Sequence, residues 1–229
     1  MNRSPRTPRN LSPLARICLE KLAEHGDLVS IGGAIGLSYY LEYRSTADVH
    51  AWWEGGALEQ RAELIDEVER VLRPHGEVRR RSWGDVVSVE LALDDGTSFS
   101  FQVARRSARL ADAVDAPWPK GLRLDSLEDL VASKMEALVA RGAPRDFRDA
   151  HALCVARLLA PGELWELWER RRGAAGESAD RSQAALAVRT HLERIERVRP
   201  LQGIASEADR QQAGQLRAWV KETLLHGLV

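Results

Sequence analysis

Asp48 and His50 stand two residues apart in the segment Arg44-Ser45-Thr46-Ala47-Asp48-Val49-His50-Ala51-Trp52-Trp53. Side chains alternate along a strand, so a strand here points both to one face and Val49 to the other. A carboxylate and an imidazole at that spacing make a compact chelating pair. Hard Mg²⁺ prefers two carboxylates; an imidazole suits a softer ion such as Mn²⁺, or serves as a base. A divalent ion beside a nucleoside triphosphate would neutralise charge developing on the phosphates and align the attacking oxygen. The plain alternative is a half-exposed strand with its polar residues outward.

Two further places carry residue types suited to the same chemistry. Gly32-Gly33 lies between an apolar run and a helical one. Glycines there let a backbone approach an anion closely, and equally make a structural turn. In "SLEDLVASKMEALVARGAPRDFRDAHAL" (126–153), Leu127, Leu130, Val131, Lys134 and Leu138 fall on one helical arc with Lys134 near its middle. An ammonium on an apolar stripe must snorkel, pair with a buried acid or reach a ligand. Only four of the 33 basic residues are lysines, which adds weight to the position. Asp146 and Asp149 fall in the first turns of the next helix, where acids favour the helix dipole, or where one pairs with Lys134 or Arg141. His151 reads as a core histidine. The arginine runs 79–81, 105–106 with 109, and 170–172 read as solvated faces that could hold a phosphate backbone. Trp165 and Trp168, three apart on a helix, read as core or interface rather than a base-stacking platform.

The elements that must position these groups follow from periodicity. Residues 12–25 predict a helix with Ser12 as N-cap and Pro13 in the first position, ended by Gly26. A short strand (28–31) turns through the Gly pair into a second helix, and a strand at 47–53 follows. Residues 58–76 form an amphipathic helix with Leu58, Leu64, Ile65, Val68 and Leu72 on one side and Pro74-His75-Gly76 as its stop. Strands are expected at 77–82, 85–93 and 97–103, the last two joined at Asp94-Asp95-Gly96. A polar loop (107–125) leads to helices near 126–141, 145–159, 161–172, 178–198 and 206–226, with 171–180 as a linker. Strands first and helices after imply an α+β fold: a mixed sheet flanked by helices, then a helical C-terminal part. The expected organisation is a flexible tail (1–11), an α+β core (12–125) and a helical domain (126–229).

With 229 residues and 44% hydrophobic content, the chain can bury a core. A net charge of −1 gives no global field for nucleic acid, though local patches remain open. No apolar run is long enough for a membrane span, and the Arg/Pro-rich start lacks a signal-peptide core, so a cytoplasmic protein is expected. Cys18 and Cys154 lie in apolar helical patterns and are expected as buried thiols.

The order of these features resembles the AbiEii-type nucleotidyltransferases, toxins of abortive-infection and toxin–antitoxin systems. The resemblance covers roughly residues 27–158. It rests on Gly32-Gly33, the Arg44-x-Thr46-x-Asp48 element, and Lys134…Arg141…Arg145-Asp146…Asp149. It implies a polymerase-β-like core, a nucleoside triphosphate substrate with Mg²⁺ or Mn²⁺, an RNA acceptor such as tRNA, and a cognate antitoxin. By motif, Asp48, Lys134 and Asp146 would be catalytic. Gly32, Gly33, Arg44, Lys134, Arg145 and Asp149 would contact the nucleotide, and Asp48 with His50 would hold the metal. Three positions depart from the family pattern: His50 replaces the second Asp of Asp-x-Asp, Gln102 replaces a third Asp, and Ala34 replaces a hydroxyl residue. Glu90 on a neighbouring strand is a candidate substitute for a lost carboxylate. Exchanging two carboxylates for neutral groups should weaken Mg²⁺ binding by several kcal/mol, and about 1.36 kcal/mol of lost transition-state stabilisation is tenfold in rate. The sequence therefore supports either a transferase with altered metal use or a degenerate nucleotide-, RNA- or partner-binding protein on the same fold.

Overall fold

The computed structural model describes residues 4–46 and 48–228; Ala47, expected to open the strand at 47–53, lies outside them. The chain divides into two compact units, residues 2–130 and 131–229. Its class is α+β, a seven-stranded mixed sheet with helices.

The first unit starts from α1 (Pro13–Ala23). The Ser12 hydroxyl accepts the Ala15 N–H at 3.1 Å, and Pro13 occupies the first turn, where a missing N–H costs nothing. β1 (Val29–Gly32), α2 (Gly33–Ser38) and β2 (Asp48–Trp53) follow, then α3 (Leu58–Leu72). Leu64, Ile65, Val68 and Leu72 of α3 are buried as expected, but Leu58 is 77% exposed. It sits at the first position of the helix, before the apolar stripe reaches the sheet.

β3 (Glu77–Trp83), β4 (Val86–Ala92) and β5 (Ser98–Arg105) form an antiparallel meander. Its first connection is a two-residue turn at Gly84-Asp85. Gly84 has φ +52°, the left-handed backbone such hairpins need. The loop expected over 107–125 contains two short strands, β6 (Val114–Asp115) and β7 (Arg123–Leu124). They carry too little alternation to be read from sequence, and a single Ile31–Leu124 pair fixes β7 to β1. The sheet order is β3-β4-β5-β2-β1-β7-β6, parallel at β2–β5 and β1–β7 and antiparallel elsewhere.

Alternation sorts the sheet into two faces. Val49, Ala51, Val89, Leu91, Phe99, Phe101 and Val103 point to one side and form a core with α1 and α3. Each such large apolar side chain contributes about 1.5–3 kcal/mol when fully buried. The other side is polar. Directly paired residues share a face, and one row reads Arg79, Glu90, Ser100, Asp48. The next reads Arg81, Ser88, Gln102, His50, Gly32. The N-terminal segment is tied to this unit: the Arg6 N–H donates to the Tyr39 carbonyl at 2.6 Å, and the Asn10 N–H to Glu42 Oε1 at 2.9 Å.

α4 (Leu127–Ala140) crosses the division between the units. The second unit continues with α5 (Pro144–Val155), α6 (Pro161–Ala174), α7 (Arg181–Val198), α8 (Glu207–Trp219) and one π turn, Val220–Leu224. The linker expected over 171–180 is shorter than its composition suggests. α6 runs to Ala174, Arg171 is buried, and Arg172 pairs with Glu177 at 2.7 Å. Trp165 is core: its indole donates to the Leu224 carbonyl at 3.0 Å and meets Trp168 edge-on at 5.8 Å. His151 packs its ring 4.9 Å from that of Trp219, and burial lowers its pKa. Cys18 is buried, whereas Cys154 is only partly so, its thiol still pushed up to about 12. Among the described residues no helix is long and apolar enough to cross a membrane.

Candidate active site

Asp48 and His50 occupy the polar face of β2, the central strand of the sheet. Asp48 sits opposite Ser100, whose hydroxyl donates to Asp48 Oδ1 at 2.9 Å. His50 sits opposite Gln102 on one side and Gly32 on the other. The Asp48 N–H donates to the Thr46 hydroxyl at 3.3 Å, which fixes the entry to the strand. Ser100 is a neighbour the sequence reading overlooked, although the alternation of "TSFSFQV" places it on the same face as Gln102.

The glycine pair and the histidine meet. Gly33 has φ +64°, and a Cβ there would lie 3.1 Å from His50 Cβ. Only glycine satisfies both the left-handed backbone and the close approach. Gly33→Ala is expected to cost about 1–2 kcal/mol from the backbone alone, more if His50 must shift, read as a lower denaturant midpoint.

Beneath Gly32 lies a buried charge cluster. Arg106, 8% exposed at its side chain, pairs with Asp125 at 2.5 Å and Glu54 at 3.2 Å. The Ser30 hydroxyl donates to Asp125 Oδ1 at 2.7 Å, and the guanidinium stacks 5.4 Å over the Trp52 ring. Arg109 also pairs with Glu54, and Arg106 approaches Asp129 at 3.7 Å. Asp129 accepts the Leu110 and Ala111 N–H groups at 2.9 and 3.0 Å and the Ser126 hydroxyl at 2.7 Å, while the Asp129 N–H donates to the Ser126 hydroxyl at 3.0 Å, capping α4. A Cβ on Gly32 would lie 2.6 Å from Trp52 Nε1 and 3.1 Å from Asp125 Oδ2, so its absence lets both groups close in. Arg106 was expected on a solvated face; it is buried because β5 ends at Arg105 and the chain turns it inward. The signal available was the Ser126-x-x-Asp129 cap beside Asp125.

Burial raises the Asp125 carboxyl above the ordinary carboxylate range, against the opposing pull of Arg106. A raised folded pKa stabilises the fold below the unfolded value of about 3.9 and loses that contribution as pH rises through the folded value. The melting temperature of Asp125→Asn should therefore decline less than wild type as pH rises from about 4 toward neutrality. Parallel declines would remove Asp125 as the source.

Arg44 donates to the Ser45 carbonyl at 3.3 Å, and its guanidinium lies 5.7 Å from the Tyr43 ring. It borders a hollow of about 370 Å³ with Ile35, Tyr43 and Thr46. In the second unit, Lys134, 11% exposed, pairs with the fully buried Asp149 at 2.5 Å, the buried-acid outcome for a lysine on an apolar stripe. Asp146 is also fully buried, and both its oxygens are engaged. Arg141 donates to them at 2.9 and 3.0 Å, and the Ala143 N–H at 3.1 Å caps α5. Arg145 is exposed at the start of α5.

The donor set does not fit a multi-carboxylate Mg²⁺ centre. On the polar face Asp48 offers one carboxylate and His50 one imidazole, while Ser100 and Gln102 beside them are neutral. Glu90, two strands from Asp48, is held by Arg81 at 3.2 Å. Among the described residues no three His, Cys, Asp or Glu side chains come together as a metal site.

A family model described as the nucleotidyl transferase AbiEii toxin of a type IV toxin–antitoxin system matches residues 33–222. The Helicobacter pylori protein JHP933 superposes with a TM-score of 0.53 at 16% identity, over 94% of this chain and 95% of that one. A second H. pylori structure, provisionally assigned as a nucleotidyltransferase, gives 0.50 at 16% identity, over 92% and 93%. At that identity the two structures speak for the fold. No curated protein sequence matches the chain.

Proposed function

The chain belongs to the AbiEii family of nucleotidyltransferase toxins, and from that premise we propose that it binds a nucleoside triphosphate and transfers its nucleotide to an RNA acceptor such as tRNA. It would act in the cytoplasm within a toxin–antitoxin or phage-defence system whose antitoxin restrains it. The observation that carries this reading is the polar sheet face, where Asp48, His50, Ser100 and the Gly32-Gly33 turn come together. In the transfer, the acceptor hydroxyl forms a bond to the α-phosphorus as pyrophosphate leaves. His50, an imidazole on that face, takes the hydroxyl proton. Asp48, oriented by Ser100, would hold a divalent ion, which would supply charge neutralisation on the phosphates. Gly32 and Gly33 give the phosphates close backbone access, and Arg44 supplies further positive charge. In the second unit Lys134, the residue that the family pattern assigns to the triphosphate, is held by Asp149, and Asp146 fixes Arg141 and the start of α5.

One observation favours a second reading, a nucleotide or RNA sensor: among the described residues no three metal-ligating side chains come together on the polar face, where Asp48 is the carboxylate next to His50. Incubation with each radiolabelled triphosphate, Mg²⁺ or Mn²⁺ and total tRNA separates the two. Transfer that disappears in Asp48→Ala and His50→Ala supports the enzyme. Thermal stabilisation by a triphosphate without transfer under either metal supports the sensor. Absence of both overturns the nucleotide reading.

A further inference from the structure

The rows of the polar face do not end at Asp48 and His50. They run outward across β5 and β4 to the edge strand β3, where Arg79, Arg81 and Trp83 stand at alternate positions on the same face. Trp83 is 50% exposed, and the Arg79 and Arg81 side chains are 65% and 60% exposed. Their carboxylate partners, Glu77 and Glu90, are exposed or half-exposed, so these ion pairs are weak and exchangeable. Arg80, on the opposite face, is by contrast locked to Asp66 and Glu69 of α3.

We propose that Arg79, Arg81 and Trp83 form a docking strip for a single-stranded polynucleotide, which they lead across the sheet toward Asp48. Alternate residues on a strand lie about 6.7 Å apart, a spacing comparable with that of successive phosphates along an extended strand. Two guanidinium groups at that interval match two phosphates, and the neighbouring indole offers a platform on which a base of any identity stacks. Three strand spacings, about 14 Å, separate β3 from β2, so a short unpaired end anchored on the strip reaches the Asp48–His50 pair. A duplex lacks the free base that Trp83 would hold. Ser88 and Gln102 lie between as a polar floor, and the Ser88 hydroxyl is buried with no hydrogen-bond partner among the described residues. The role as an acceptor track rests on the transferase reading; the binding itself does not.

The test is equilibrium binding of the full chain to a fluorescein-labelled single-stranded RNA of mixed sequence, with the same RNA as a duplex for comparison. Wild type should prefer the single strand. Arg79→Gln/Arg81→Gln should weaken it at least tenfold and reduce the slope of log K against log salt by about 1.4. Trp83→Ala should weaken it about tenfold with the slope unchanged. Arg197→Gln/Arg199→Gln, an equal loss of charge on the second unit, should change neither, and circular dichroism confirms folding of each variant. Equal weakening by the control pair, no preference for the single strand, or strip variants that bind like wild type would overturn the proposal. So would a strip that ignores RNA yet captures a poly-glutamate peptide, marking a protein-docking surface. Loss of triphosphate binding and transfer in wild type, with strip-dependent RNA binding intact, would instead remove the transferase reading.

Discussion

Arg106→Met is expected to lower the unfolding free energy by about 3–5 kcal/mol, read as a large drop in urea midpoint with an unchanged slope. The guanidinium is the cation nearest both Asp125 and Ser30, and Asp129 and Glu54 lie within the same network. Removing it leaves the buried Asp125 without its nearest counter-charge, while Glu54 keeps Arg109 and Asp129 keeps its backbone donors. Arg106→Lys should recover only part of the loss, because a single ammonium cannot present a planar fork to two carboxylates and a hydroxyl at once. Asp125→Asn introduced beside Arg106→Met should recover part as well, since it removes one stranded charge. A drop under about 1 kcal/mol for Arg106→Met would mean the cluster is hydrated and behaves as a surface network.

Lys134→Met is expected to cost a similar amount, about 3–5 kcal/mol, because Asp149 is fully buried and would lose the ammonium 2.5 Å from it. The double variant Lys134→Met/Asp149→Leu should return to within about 1–2 kcal/mol of wild type, as buried ion pairs replaced by apolar groups of similar size often do. Chemical denaturation of the three proteins checks this. The double variant also separates roles: a stable protein that no longer transfers nucleotide would assign Lys134 to the triphosphate rather than to the fold. A double variant as unstable as the single one would mean that the pair's other contacts, not its charge, hold α4 to α5.

The legibility of this chain in its sequence was uneven for physical reasons. α1 and α3 were readable because capping residues and a 3.6-residue apolar period coincide in them. β2 and the β3–β4–β5 meander were readable because one face is apolar and the other polar. β6 and β7 were not, because two residues carry no period. Lys134 was conspicuous as a charge on an apolar stripe, and its partner, Asp149, was one of two acids that spacing allowed. Spacing could not distinguish Asp149 from Asp146, since both lie on the buried side of α5; their different partners depend on the turn at Gly142 and Ala143. The Arg106 cluster went unread because it joins residues 30, 54, 106, 125 and 129, of which only Asp125 and Asp129 are neighbours in sequence. The apposition of Gly33 and His50 was hidden for the same reason.

The parallel seam between β2 and β5 has a kinetic consequence. It joins residues 52 positions apart, Asp48 with Ser100, whereas β3, β4 and β5 are linked by short turns. Local hairpins close early in folding, and a parallel pairing must wait until a long loop has been ordered at an entropic cost. The face that brings Asp48 and His50 opposite Ser100 and Gln102 is therefore assembled late, when most of the apolar surface is already covered. Substitutions along the seam should leave the refolding rate nearly unchanged and act mainly on how fast the native state comes apart.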